Sequence, residues 1–422
     1  MSFENLSLHP TLLKTLKQKG YEIPTPIQIQ AIPEALAGRD LIATAETGTG
    51  KTAAFVLPAL QHLIGLPPRK QNGKPSILVL TPTRELAEQV NNAIRDYGKD
   101  LRFNNLILVG GMPYGPQLRS LSRPVDIIVA TPGRLLDHVN RRRVDLSMLK
   151  VLILDEADRM LDMGFIDEVE KIASLAPKDR QTLLFTATWD NKMSQLAGKL
   201  LSDPHRIQLE PQNVRKNIEQ RLHVVDNVDH KNRLLQHLVG DEIVKQAIIF
   251  SATKRGADEI AQQLTASGFP AAALHGDMSQ AARNRTLNKL RYGRLRLLVA
   301  TDVAARGIDV SGISHVINFD LPRFAEDYVH RIGRTGRAGA TGTAISFALP
   351  DERIHLERIE RYTGESVPRH IVPGFEPKLV FPSQGRKRKY QSAFTPTRQK
   401  APGQNKFGGQ RHAYSRKKQT VK

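Results

Sequence analysis

The chain has 422 residues, a hydrophobic share of 40%, a formal net charge of +20 at pH 7 and an isoelectric point near 10.1. Its length predicts two or three domains, and its charge favours a polyanionic partner, most often nucleic acid, although charge alone weighs such a partner and mere adhesion to polyanions about evenly. The absence of cysteine excludes disulfides and thiolate metal sites and fits a reducing cytoplasm; no apolar run reaches the roughly 18 residues of a membrane span, and the N-terminus lacks the basic-then-apolar order of a signal peptide.

Phe3 to Gln30 reads as a helix followed by a turn, with Leu12, Leu13 and Leu16 at helical spacing and Gly20 as the stop. Pro24 and Pro26 stiffen the next segment. There Tyr21 can stack on a purine, and the Gln28 carboxamide can bond the N6 donor and N7 acceptor of adenine. The same residues also suit an ordinary proline-stiffened turn.

The strand-like run Asp40 to Thr44 leads into Ala45-Glu46-Thr47-Gly48-Thr49-Gly50-Lys51-Thr52, and a helical stretch follows from Ala53. Gly48 and Gly50 let successive N–H groups turn into one concavity that holds phosphate oxygens, at the positive end of the next helix. In that pattern Lys51 reaches the β- and γ-phosphates and the Thr52 hydroxyl ligates Mg²⁺. The usual pattern starts with Gly, where this chain has Ala45.

Apolar runs then alternate with helical patterns, which predicts a parallel α/β sheet: Ile77 to Leu80, Leu106 to Val109, Ile127 to Val129, Val151 to Leu154 and Leu183 to Phe185. They are continuous, as expected of strands buried on both faces. Ligands of such sheets bind at the carboxyl ends of the strands. There lie Thr81-Pro82-Thr83-Arg84-Glu85-Leu86, Gly110-Gly111, Thr131-Pro132-Gly133-Arg134, Asp155-Glu156-Ala157-Asp158 and Thr186-Ala187-Thr188. Asp155 can hold Mg²⁺ through water, and Glu156 can orient and deprotonate an attacking water. The small and glycine loops with arginine let a sugar-phosphate backbone approach closely.

Pro204 to Lys216 is polar and reads as a linker. The pattern then restarts: Ala247 to Thr253 resembles Ile77 to Thr83, and Leu297 to Thr301 resembles Ile127 to Thr131. This second copy has no Gly-Lys-Thr loop, so one nucleotide would lie between two similar domains. The second domain supplies His330-Arg331-Ile332-Gly333-Arg334-Thr335-Gly336-Arg337, whose Arg334 and Arg337 are neighbours if helical and can reach a γ-phosphate as fingers. Asp309, after Thr301-Asp302, can accept from a ribose hydroxyl. After Glu376 no acidic residue appears, and Arg386 to Lys389 and Arg416 to Lys418 lie among Gln, Gly, Ser and Pro. Such a segment cannot bury a core; Tyr390, Phe394, Phe407 and Tyr414 can stack on unpaired bases, or the segment serves only solubility.

Together these segments resemble the DEAD-box ATP-dependent RNA helicases, and within them a bacterial RhlE-like branch with a short basic tail. The likeness runs from Phe3 to Gly342, and the family itself uses Ala at the position of Ala45. It implies an α/β fold of two tandem RecA-like domains plus a disordered basic C-terminal tail: residues 1–207, a linker at 208–218, residues 219–366, and the tail at 367–422. It implies ATP and Mg²⁺ as cofactors. Tyr21, Gln28, Thr47, Gly48, Thr49, Gly50, Lys51, Thr52, Gly307 and Asp309 would bind ATP. Lys51, Asp155, Glu156, Arg334 and Arg337 would carry hydrolysis.

The same resemblance assigns RNA contacts to Pro82, Thr83, Arg84, Gly110, Gly111, Thr131, Pro132, Gly133 and Arg134 in the first domain. In the second it assigns them to Gln280, Arg283, Thr301 and Asp302. Asp158, Thr186, Thr188 and His330 would couple hydrolysis to strand separation. The family reads Ser-Ala-Thr where this chain has Thr186-Ala187-Thr188, which keeps the hydroxyl and adds a methyl. The implied activity is RNA-stimulated ATP hydrolysis with local unwinding of short duplexes and little sequence preference, in the cytoplasm and without membrane. Ribosomal or RNA-decay proteins are the implied protein partners. An ATP-gated RNA clamp with little unwinding would need the same motifs.

Overall fold

The computed structural model describes residues 2–45, 48–64, 72–209, 217–305, 310, 312–336 and 340–379. The first lobe is built on a seven-stranded parallel sheet of β1 (Leu41–Thr44), β2 (Ile77–Leu80), β3 (Asn105–Leu108), β4 (Ile127–Ala130), β5 (Val151–Leu154), β6 (Gln181–Thr186) and β7 (His205–Gln208), in the order β3-β4-β2-β5-β6-β1-β7. The second is built on β8 (Ile218–Val224), β9 (Ala247–Phe250), β10 (Ala271–Leu274), β11 (Leu297–Ala300), β12 (His315–Asn318) and β13 (Gly342–Ala348), in the order β10-β11-β9-β12-β13-β8. These are the two tandem RecA-like domains expected from the sequence.

The continuous apolar runs have a direct structural reason. Alternate residues of one strand enter different cores: Ile77 and Val79 pack with Val129 and Ile153 on one face, while Leu78 and Leu80 pack with Ile128 and Leu152 on the other. In the second lobe Ile249 and Val299 share one core, and Ile248 and Leu298 share the other. Both faces of each sheet are covered, so the strands are apolar at nearly every position; the buried Asn318 and Ser346 of the second sheet are paired with each other at 3.1 Å.

The internal repeat extends to topology. Replacing β2, β4, β3, β5, β6 and β1 by β9, β11, β10, β12, β13 and β8 turns one strand order into the other, with β7 added to the first lobe. Local devices repeat as well. Thr83 caps the Arg84–Tyr97 helix by accepting from Leu86 N at 3.3 Å, and Thr253 caps the Lys254–Ala266 helix by accepting from Gly256 N at 2.9 Å. Thr81 N donates to Ala130 O, and Ser251 N donates to Ala300 O, each at 3.0 Å.

Three segments differ from the expectations. The N-terminal stretch forms a short 3₁₀ turn, Phe3–Leu6, and two helices, Pro10–Gln18 and Pro26–Leu36. Gly20, at φ 74°, makes the turn between the two helices. Gln28 therefore lies in the first turn of a helix and not in a loop. The polar run read as a linker from Pro204 begins with β7, which pairs with β1 through His205↔Leu41; residues 210–216 lie outside the described residues. At the other end, the chain packs on the second lobe beyond 367. Leu222 N donates to Pro368 O and His370 N to Leu222 O, each at 2.8 Å, and Lys378 N and Leu379 N donate to the Asp226 carboxylate. The basic segment from 380 onward lies outside the described residues.

Candidate functional site

Topology divides the carboxyl edge of the first sheet in two. The loops after β1, β5 and β6, three neighbouring strands, carry Lys51, Asp155-Glu156 and Thr186 to Thr188. The loops after β2, β3 and β4, the other neighbours, carry Thr81 to Arg84, Gly110-Gly111 and Thr131 to Arg134. The second sheet repeats the latter half, with Thr253, Gln280 to Arg283 and Thr301-Asp302 after β9, β10 and β11.

On the first half, Gly48 (φ 88°) and Gly50 (φ 94°) take the left-handed conformation that a side chain disfavours, and the Lys51–Leu63 helix starts directly after them. Lys51 is buried, with Nζ donating to Ala45 O at 2.9 Å, and Ala45 N donates to Thr186 O at 3.0 Å. Thr52 stands beside it in the first turn, and Thr49 is half-buried in the loop; Thr47 lies outside the described residues. The Gln28 carboxamide accepts from Thr25 N at 2.9 Å and donates to Gly50 O at 3.2 Å. A Cβ on Gly50 would stand 2.5 Å from Gln28 Nε2. Gln28 is thus a brace between the N-terminal helix and the glycine loop. Tyr21 is half exposed and stands 6.3 Å from the Tyr97 ring.

Asp155 ends β5 fully enclosed. Burial pushes its carboxyl up to about 7, against the pull of Lys51, and the neighbouring Glu156 and Asp158 add to the rise. A buried carboxyl among like charges suits a cation brought by a ligand. Glu156 is buried at φ 52°, ψ 53°, a left-handed conformation uncommon for a residue with a side chain. Such strain is held in place by the surrounding structure and concentrates at functional sites.

Asp158 joins this loop to the next one. Its Oδ2 accepts from Ala187 N at 3.0 Å, Thr188 N at 2.9 Å and Thr188 Oγ1 at 3.1 Å. Thr186 is wholly buried and its hydroxyl donates to Thr188 O at 2.8 Å. The hydroxyl shared with the usual serine is therefore in use, and the loop after β6 is fastened to the loop after β5.

On the second half, three guanidinium groups gather. Burial lowers the pKa of Arg84, Glu85 opposes this, and Arg283 and Arg134 lower it further. Arg84 lies against the Gly110-Gly111 turn; a Cβ on Gly111 would collide with its guanidinium, and Gly111 sits at φ 71°. The glycine pair thus makes room for an arginine of its own lobe. Arg134 Nη1 donates to Met112 O at 3.2 Å and its guanidinium lies 5.4 Å from the Tyr114 ring. Thr131 and Pro132 start the Pro132–Asn140 helix, leaving Gly133 exposed. Pro82 is buried, and Thr83 is the cap described above.

The lobes meet through two buried ion pairs. Arg283 Nε and Nη2 lie 2.8 and 2.5 Å from Glu85 Oε1, and Arg84 Nη1 donates to Gln280 Oε1 at 3.4 Å beside them. Arg159 Nη1 donates to Asp327 Oδ1 at 2.6 Å, both side chains being under a tenth exposed, and also to Asp162 at 3.1 Å. Burial works against the Arg159 charge, but Asp327 and Asp158 overcome it and raise its pKa. Asp327 lies one turn before His330 on the Ala325–Ile332 helix, so the pair seats that helix against the Asp155–Asp158 loop.

In the second lobe Arg331 is buried and holds the Asp302 carboxylate at 2.6 and 2.7 Å, with further bonds to Asn318 Oδ1 and Asp320 O. Asp302 thus accepts from protein here. Thr301 is buried and its carbonyl receives Ala304 N and Ala305 N. The Ala325–Ile332 helix stops at Gly333, so Arg334 stands past its end with Nε donating to His330 O at 3.2 Å. The helical spacing expected for Arg334 and Arg337 does not extend that far, and Arg337, Gly307 and Asp309 lie outside the described residues. Glu85 and Arg331 fall within segments read from the sequence but carry no role there, and Arg159 and Asp327 fall outside those segments. Arg159 and Arg331 adjoin motif residues, but their partners are set by the fold.

No helix among the described residues is long and apolar enough to cross a membrane. The family profile described as DEAD/DEAH box helicase matches residues 25–196, and that described as helicase conserved C-terminal domain matches residues 229–339. The ATP-dependent RNA helicase SrmB of Haemophilus influenzae is 45% identical over 91% of this chain and 88% of its own. Saccharomyces cerevisiae Dbp5 bound to RNA and ADP BeF3 superimposes with a TM-score of 0.77 at 34% identity, covering 88% of this chain and 95% of that one. A DEAD box protein from Methanococcus jannaschii gives 0.51 at 39% identity, covering 88% of this chain and 99% of that one. These matches span both lobes, and with the motifs they carry the chain belongs to the DEAD-box ATP-dependent RNA helicases.

Proposed function

We propose that ATP is hydrolysed at the β1-β5-β6 edge while RNA lies along the loops of β2, β3 and β4 and their counterparts β9, β10 and β11, and that the two lobes close on both ligands. The observation that carries this is the division of the sheet edge, with the catalytic set on one side, clustered arginines on the other, and buried ion pairs joining the lobes at each. The Gly48–Gly50 backbone and Lys51 would bind the triphosphate, with Tyr21 against the base. Thr52 and Asp155 would hold Mg²⁺, which supplies charge withdrawal from phosphate oxygens. Glu156 would take the proton of the attacking water, and Arg334 and Arg337 would face the terminal phosphate.

Asp158, through Thr188, and His330, on the helix held by Arg159, would pass closure between the sites. RNA contacts would go mainly to phosphate and sugar, which gives little sequence preference. A first domain to Gln208, a second from Ile218 that takes in the packed stretch to Leu379, a basic RNA-binding tail and a cytoplasmic setting complete the reading. The short basic tail supports an RhlE-like placement, whereas the Haemophilus relative is an SrmB. Ribosome assembly or RNA decay would supply the structured RNA and protein partners.

The test is Glu156→Gln in an ATPase assay beside a duplex-release assay. The amide cannot take the proton, so nucleotide and RNA binding should persist while turnover falls by roughly 10²- to 10⁴-fold. Near-normal hydrolysis would remove Glu156 from this role.

A further inference from the structure

Past the Glu85–Arg283 pair, the Arg84–Tyr97 helix of one lobe and the Gln280–Arg291 helix of the other continue face to face. Glu85, Glu88 and Asn92 line one wall of the crevice between them, and Asn284, Asn288 and Arg291 line the other. Both sets fall on one helix face, at spacings of three and four. The crevice holds about 130 Å³, room for roughly four waters. This seam exists only while the lobes are together, and it is lined by polar groups where a permanent interface would be apolar.

Glu88 is the group this seam accommodates least well. It is half-buried, and its bond is to the neutral Asn284. The charged groups that face it are Glu85 on its own helix and Arg283 and Arg291 across the seam. Arg283 is engaged by Glu85, and among the described residues no cation lies within ion-pair distance of Glu88. Burial raises its pKa, Glu85 adds to the rise, and Asn284, Arg291 and Arg283 offset it only in part.

We propose that this seam is a proton-linked latch on lobe closure: the charge of Glu88 holds the closed arrangement back at neutral pH, and its protonation as pH falls lifts that restraint. The sign follows from linkage. A carboxyl whose pKa is higher in the closed form binds more protons there, so falling pH favours closure, by at most about tenfold per pH unit for one proton. Glu88→Gln is a permanent stand-in for the protonated form and keeps the amide-to-amide bond with Asn284. The device would let a small shift in pH set how long RNA is held. It rests on the closure proposed above, and the test separates the two.

The chain has no cysteine, so Lys171→Cys and Gln262→Cys, on exposed faces of the two lobes, can take a dye pair. Energy transfer in the full chain is read with RNA and a non-hydrolysable ATP analogue from pH 7.5 down to 4.5, the ordinary carboxyl value, at fixed ionic strength, with and without Glu88→Gln. The latch predicts that RNA is held roughly threefold tighter or more at pH 7.5 in the Gln variant. It also predicts that the protein with Glu88 closes further as pH falls while the variant loses that component. Superimposable pH profiles, or weaker closure in the variant, would overturn the latch and leave closure standing. No transfer change with ligands at any pH would remove closure and the latch together.

Discussion

Replacing Asp327 by Asn strikes the contact that joins the Asp155–Asp158 loop to the helix of His330. Arg159 and Asp327 are both nearly sequestered from solvent, with 2.6 Å between Nη1 and Oδ1. Removing one partner of such a buried pair costs about 3–5 kcal/mol, because the other charge is left without compensation. Two features reduce this. Asp162, half exposed, stays 3.1 Å from the same nitrogen, and the Asn carbonyl can still accept a neutral bond. About 2–3 kcal/mol remains, or roughly 30- to 150-fold in the equilibrium for closure. The loss falls on the closed form alone, since separated lobes wet both groups.

RNA affinity in the presence of a non-hydrolysable ATP analogue should therefore drop by that factor, and RNA-stimulated ATPase should need correspondingly more RNA. The melting temperature without ligand should hold. The pair Arg159→Met with Asp327→Leu should regain part of the loss, because two apolar side chains replace a paired charge without orphaning one. Unchanged RNA affinity and ATPase in Asp327→Asn would refute the reasoning.

Gly111→Ala should reduce RNA affinity, since the added methyl displaces the Arg84 guanidinium and the residue sits at φ 71°; a binding titration at fixed salt reads this, and wild-type affinity would free Arg84 from that turn. His223 is buried in the second lobe, and burial and the neighbouring His370 lower its pKa to about 4. The folded form excludes a proton that the unfolded chain accepts near 6.5, so stability present above that pH should decline as pH falls towards 4, by up to about 3 kcal/mol. Urea midpoints from pH 7 to 4.5 should show this decline, and His223→Phe should flatten it.

What the sequence disclosed and what it hid follow from distance along the chain. The glycine loop, Asp155-Glu156 and the strand runs are local patterns: a strand buried on both faces is apolar at nearly every position, and a phosphate loop must carry its glycines in order. The second lobe was recognisable because Thr253 repeats the capping threonine of Thr83 and Thr301 repeats Thr131. By contrast, Arg159 meets Asp327 across 168 positions, and Glu85 meets Arg283 across 198. No spacing rule predicts such partners. Arg84 on Gly110-Gly111 is hidden for the same reason, and Gln28 carries no mark of whether its amide faces a base or the Gly50 carbonyl. β7 was missed because His205–Gln208 is an edge strand with only Ile207 fully buried, so it lacks the apolar signature of its neighbours.

Coupling between two sites that each lobe only half supplies is the central claim. Reciprocal binding tests that claim most directly: the Kd of single-stranded RNA is measured with and without a non-hydrolysable ATP analogue, and that of the analogue with and without RNA. Closure predicts that each ligand tightens the other by the same factor, roughly tenfold or more. Affinities that ignore each other would contradict it.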